Sequence, residues 1–120
     1  MRVVSSRDFA RAYKTGTRAR GAILLVVVAP NGLEHARLGL SVGKSIWKGA
    51  VERNRIRRVF REAFRLAYPA LPAGVDVVMI PAVPKLVPAL EPTRAELLRL
   101  VARALERRAA PRAGDAGRAR

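Results

Sequence analysis

Seven side chains between residues 53 and 65 are suited to gripping phosphate: Arg53, Asn54, Arg55, Arg57, Arg58, Arg61 and Arg65. They lie in GAVERNRIRRVFREAFR, residues 49–65. A guanidinium offers paired donors in a planar fork and keeps its charge at any physiological pH, which matches phosphate oxygens. A row of such forks at helical spacing can follow a phosphate backbone. Lys44 and Lys48 precede the row in SVGKSIWKGAV. Between Lys44 and Arg65 the acids are Glu52 and Glu62, against eight basic residues. A surface held by its own salt bridges alternates its signs more evenly, so this one is short of internal counter-charge. The plainer alternative is a well-solvated arginine face. Asn54 suits a local hydrogen bond or the orienting of Arg53 or Arg55.

A second group sits near the N-terminus. Phe9 and Tyr13 are four residues apart in SSRDFARAYK and share a helix face, flanked by Arg7, Arg11, Lys14 and Arg18. Aromatic faces in a basic setting can stack single-stranded bases at about 1–3 kcal/mol per base. Core packing of an amphipathic helix explains the same spacing, and both readings stand at this point.

The chain offers little for catalysis of its own. It has no cysteine, which excludes disulfides, thiolate zinc sites and cysteine nucleophiles. Its one histidine, His35, falls in a turn and reads as a solvated loop residue. The nine acids are scattered, with no acid–base or metal-ligand cluster. Any hydrolysis is expected from a partner.

These groups need positioning elements. The 120 residues suit one domain. Residues 5–14 read as a helix capped by Ser5 or Ser6 and closed at Gly16. AILLVVVA, 22–29, reads as a strand buried on both faces. PNGLE turns the chain into a second strand, 36–43, in a hairpin, with Leu38, Leu40 and Val42 on one side and Arg37, Gly39 and Ser41 on the other. The arginine helix covers 49–68, with Ile56, Val59, Phe60, Ala63, Phe64, Leu66 and Ala67 toward the core. GVDVVMI, 74–80, is a third strand. Residues 93–108 form a last helix, where Thr93 and Glu96 have capping-box spacing. Trp47 either anchors its loop to the core or stacks on a base.

The expected fold is therefore α+β, an α-β-β-α-β-α two-layer sandwich with a small sheet covered by helices. Residues 1–108 form the domain and 109–120 a disordered basic tail. The formal net charge is +15, which repels itself in a compact state and points to a polyanionic partner. No apolar run is long enough for a signal peptide or a membrane span, so a soluble, cytoplasmic protein is expected.

RLGLSVGKSIWKGAVERNRIRRVFREAFR, 37–65, resembles the signature of the bacterial ribonuclease P protein component: a Gly-Leu-Ser-Val strand, a lysine loop, then Arg-Asn-Arg with its flanking arginines. SRDFARAYKTGTR also resembles that family's beginning, and GVDVVMIPAVPK with the final helix fits its order of elements. The resemblance covers about residues 5–108. It implies an RNA subunit that performs magnesium-dependent hydrolysis and releases the 5′ leader of precursor tRNA, with the magnesium bound chiefly by the RNA. The protein would bind that RNA subunit through Lys44, Lys48, Arg53, Asn54, Arg55, Arg57, Arg58, Arg61 and Arg65. Phe9, Arg11, Tyr13, Lys14, Arg18 and Arg37, with the exposed side of the sheet, would line a cleft for the leader. No protein partner is implied. A left-handed β-α-β crossover is implied too, against the usual rule. One departure stands out: some members carry a further aromatic in the first strand, where this chain has Val27.

Two other classes fit the composition. One is a ribosomal-type RNA-binding protein or RNA chaperone. The other is a DNA-binding protein laying the arginine helix in a major groove, although no helix-turn-helix spacing precedes that helix.

Overall fold

Among the described residues, five strands make one mixed sheet that three helices cover. The computed structural model describes the backbone of residues 2–3 and 6–109 and the side chains of 9–108. In chain order these are β1 (Arg2–Val3), α1 (Ser6–Thr15), β2 (Thr17–Arg20), β3 (Leu24–Pro30), β4 (Arg37–Leu40), α2 (Ala50–Ala67), a 3-10 turn (Tyr68–Ala70), β5 (Val75–Pro81) and α3 (Leu90–Ala109). The sheet order is β1-β4-β5-β3-β2. The expected α+β architecture is present, with two further short strands, β1 and β2. The proposed tail begins inside α3 at Ala109, and 110–120 lie outside the described residues, as do Ser5 and the side chains of Ser6, Arg7 and Asp8.

The expected hairpin does not form. β3 and β4 each pair with β5, β3 antiparallel and β4 parallel, so β5 lies between them. The turn chemistry is nevertheless real: Asn31 Oδ1 accepts the Leu33 N–H at 2.7 Å, and Gly32 takes φ 71°. Six residues, 31–36, step across two strand spacings, about 9.6 Å, rather than folding straight back. Apart from Asp76, β3 and β5 are apolar on both faces, and pairing them centrally buries both. The chain then crosses from β4 to β5 through α2.

The two sheet faces pack differently. Leu24, Val26, Val28, Leu38, Val77 and Met79 meet Ile56, Phe60 and Phe64 of α2 and Leu97, Leu100, Val101 and Ala104 of α3. On the opposite face α1 covers Val27, Ala29 and Val78 with Ala12, Phe9 and Tyr13. The arrangement thus has a third, thin layer formed by α1. Gly16 closes α1 where the chain grazes the sheet; a Cβ there would lie 2.6 Å from Val27 Cγ1, and its N–H donates to Ala12 O at 2.7 Å.

α3 starts three residues earlier than its spacing suggests. Pro92 fits its first turn because an N–H is not needed there. Thr93 is buried inside the helix, its hydroxyl donating to Ala89 O at 2.7 Å, and there is no capping box. Glu96 instead crosses to the sheet, its carboxylate accepting the N–H groups of Ala22, Ile23 and Leu24 at 3.2, 2.7 and 2.7 Å. Those donors lead into β3, and the buried Leu24 N–H would otherwise lack a partner. His35 is half-buried rather than solvated, and its Nε2 is buried with no hydrogen-bond partner. No helix among the described residues is long and apolar enough to cross a membrane.

Candidate nucleic-acid interface

α2 presents its arginines in three different conditions. Gly49 caps the helix in an extended conformation, φ −76° and ψ 139°, without a side-chain cap. Ile56, Phe60, Ala63, Phe64 and Ala67 are buried, whereas Val59 is half-buried and Leu66, at the margin of the apolar arc, is 38% exposed. Leu66 therefore does not belong to the core as its spacing suggests. Arg53 falls on the core side, and its guanidinium turns back to donate to Trp47 O and Lys48 O at 3.0 and 2.8 Å. It braces the loop before the helix. Arg57 is half-buried and donates to Asn54 Oδ1 at 2.8 Å and Val42 O at 3.1 Å. Asn54 thus orients Arg57, not Arg53 or Arg55. Arg65 is paired bidentately with Glu62; the Arg65 hydrogen bond holds the Glu62 carboxyl below the usual carboxylate range.

Arg55, Arg58 and Arg61 remain. All three are exposed, and among the described residues none has a hydrogen bond or ion pair. Lys44 and Lys48 are exposed too, on the loop that leads into α2. Trp47 closes that loop: its indole N–H donates to Leu86 O at 2.8 Å and its ring packs on the core. Of the two roles open to Trp47, the anchor is the one observed. The nine residues expected to face the RNA thus divide into a free outward set and a set that shapes the helix.

The α1 face behaves differently. The Phe9 and Tyr13 rings lie 6.1 Å apart, tilted by 35°. Phe9 rests over Gly39 of β4, where a Cβ would come 3.0 Å from its Cζ. Both rings are half-buried, so they pack on the sheet and remain partly exposed. The sheet beneath them is not an open side: Val27 and Val78 are fully covered, and the next row, Leu25 paired with Ile80, is half-buried. Lys14 is exposed and Arg18 makes only a long contact, 3.5 Å, to Tyr13 O.

Arg11 and Arg37 are turned to an acid the sequence reading passed over. Asp76 in β5 is fully buried. Arg37 holds it with Nε and Nη2, each at 2.7 Å, Arg11 approaches at 3.2 Å, and Asn31 Nδ2 donates at 3.0 Å. Burial pushes the Asp76 carboxyl up, but hydrogen bonds from Arg37 and Asn31 and the charges of Arg37 and Arg11 outweigh it and hold the group below its usual range. The signal was available: an acid between Val75 and Val77 in an apolar strand must find donors.

Neither buried carboxylate suits a hard cation. Asp76 and Glu96 are both saturated by N–H donors, and no three His, Asp or Glu side chains converge among the described residues.

A family model described as ribonuclease P matches residues 1–108. The chain belongs to the ribonuclease P protein family. A member from Pseudomonas putida strain GB-1, the ribonuclease P protein component, is 41% identical over 80 residues, 66% of this chain and 59% of that protein. The chain therefore spans less than two thirds of that relative's length. Among solved structures, the ribonuclease P protein from Thermotoga maritima aligns with a TM-score of 0.75 at 31% identity, covering 86% of this chain and 96% of that one. The Staphylococcus aureus ribonuclease P protein aligns at 0.63 with 28% identity, covering 90% and 94%. The family's fold is thus the fold of this chain.

Proposed function

We propose that the chain is the protein subunit of ribonuclease P, an endoribonuclease whose RNA subunit carries the chemistry. In this reading it binds the RNA subunit and the 5′ leader of precursor tRNA, and assists magnesium-dependent removal of the leader. Magnesium enters as a ligand of the RNA, and the complex acts in the cytoplasm without another protein. The left-handed sense of the β4–α2–β5 crossover belongs to the same proposal.

One observation carries the reading beyond family membership: the row of Arg55, Arg58 and Arg61 on the outward face of α2, without a partner among the described residues. Three uncompensated guanidiniums on a rigid helix await phosphate, and binding releases the RNA's counterions. α1 lies on the opposite sheet face, so the exposed parts of Phe9 and Tyr13, with Lys14 and Arg18, are free for a single strand while α2 is engaged. Arg11 and Arg37 act there indirectly, by fixing the floor through Asp76.

Reconstitution tests this. With a bacterial ribonuclease P RNA at low magnesium, the chain should stimulate cleavage of a precursor tRNA at its mature 5′ end, and should cleave nothing without the RNA. No stimulation, together with tight binding to ribosomal RNA, would make it a ribosomal-type RNA-binding module instead.

A further inference from the structure

The chain has four lysines among 24 basic residues, and three of the four converge. Lys44, Lys48 and Lys85 line one depression of about 530 Å³, together with Trp47, Gly49 and Glu52. Lys85 comes from the segment after β5, far from the arginine motif, and no RNA-binding role was expected of it.

Two bonds build the depression. The Lys85 N–H donates to Ile46 O at 2.7 Å, and the Trp47 indole N–H donates to Leu86 O at 2.8 Å. They fasten the segment after β5 onto the loop before α2. Lys85 takes φ 57° to do so, a left-handed conformation that an ordinary side chain disfavours. Glycine would fit this backbone better, so something other than the backbone favours a lysine there.

The charges are uncompensated. All three lysines are exposed, and none has an ion pair among the described residues. Glu52, the one acid in the lining, lies against Gly49 and is beyond ion-pair distance of all three. A compact ammonium can approach one oxyanion from several sides of a concave site, where three planar forks would crowd. The outward arginines of α2 form an open row; these lysines form a bowl at its head.

We propose that this bowl is a phosphate-binding subsite that takes one phosphodiester of the RNA gripped by α2, with Lys85 as its third cation. The inference rests on the RNA-subunit reading given above.

Lys85→Gly removes the charge while suiting the backbone, so loss of fold is not expected; its melting temperature should equal or exceed that of the native chain. Binding of ribonuclease P RNA, measured across a salt series, should show a log-log slope shallower by about one unit. Trp47 is the only tryptophan and lines the bowl, so it reports locally. Titration with pyrophosphate should give a saturable fluorescence change, weakened at least about fivefold, roughly 1 kcal/mol, in Lys85→Gly. Lys85→Arg should recover the salt slope only in part. An unchanged slope and unchanged titration in Lys85→Gly, with the native chain binding RNA normally, would overturn the subsite and leave the proposed function intact. Failure of the native chain to bind the RNA at all would remove the proposed function itself.

Discussion

Arg58 and Arg37 are the same residue type in one strongly basic chain, yet they do opposite things. On α2, Arg55, Arg58 and Arg61 stand in solvent with no partner among the described residues. On the α1 face, Arg37 is clamped to a buried carboxylate with Arg11 beside it. The difference lies in what the sheet supplies. β5 contributes Asp76 to the α1 side, whereas the acids carried by α2 are Glu52, which makes no ion pair among the described residues, and Glu62, which Arg65 takes. Charge in this molecule is available to a partner only where the fold has not already used it.

That contrast can be broken most forcefully at Asp76. Asp76→Ala leaves the 13%-exposed Arg37 side chain without its counter-charge, and should cost about 3–5 kcal/mol in urea unfolding. The pH dependence has a definite sign. The folded carboxyl titrates below its ordinary value, so its stabilisation is present above the unfolded pKa of about 3.9 and is lost as pH falls through the folded one. Asp76→Asn should lack this part of the acid-side decline below about pH 4; an unaltered decline would mean that the cluster contributes nothing.

Arg58→Ala with Arg61→Ala comes next. Stability should stay within about 0.5 kcal/mol, while RNA affinity falls by about 2–3 kcal/mol and the salt slope by roughly two units. Arg57→Ala, which also loses its bond to Val42 O, should cost about 1 kcal/mol of stability besides weakening the RNA. If Arg57 and Arg58 behave alike, the division of α2 into free and shaping arginines fails.

Tyr13→Ala should weaken leader-bearing precursor by about 1–2 kcal/mol and leave mature tRNA unaffected. Equal losses for both substrates would place Tyr13 in the core alone. The smallest effect is expected at Arg65→Ala, whose exposed pair with Glu62 should leave the melting temperature unchanged.

Much of this was legible. All six predicted elements form, and the apolar side of α2 follows from periodicity, because Ile56, Phe60 and Phe64 repeat at helical spacing. Arg53 could be singled out because the same spacing puts it beside Phe60 and Phe64. What stayed hidden depends on partners distant in the chain. Nothing local says that β5 enters between β3 and β4. The spacing of Thr93 and Glu96 mimics a capping box, and only residues 22–24, brought over by the sheet, reveal where the Glu96 carboxylate goes. Arg37 and Arg11 read as surface cations for the same reason: their acid is 39 and 65 residues away. Lys85 escaped notice because its neighbours in space come from the loop before α2.

The central strand has one more consequence. Among the described residues β5 is the last strand in chain order and the one that joins the other two pairs, β1 with β4 and β2 with β3. A nascent chain ending before Val75 has two strand edges waiting and no means of uniting them. Its long-range pairing waits for β5, which favours concerted folding over folding element by element. Ribosome-stalled chains ending before and after residues 75–81 should differ sharply in protease resistance, with compactness arriving in a single step.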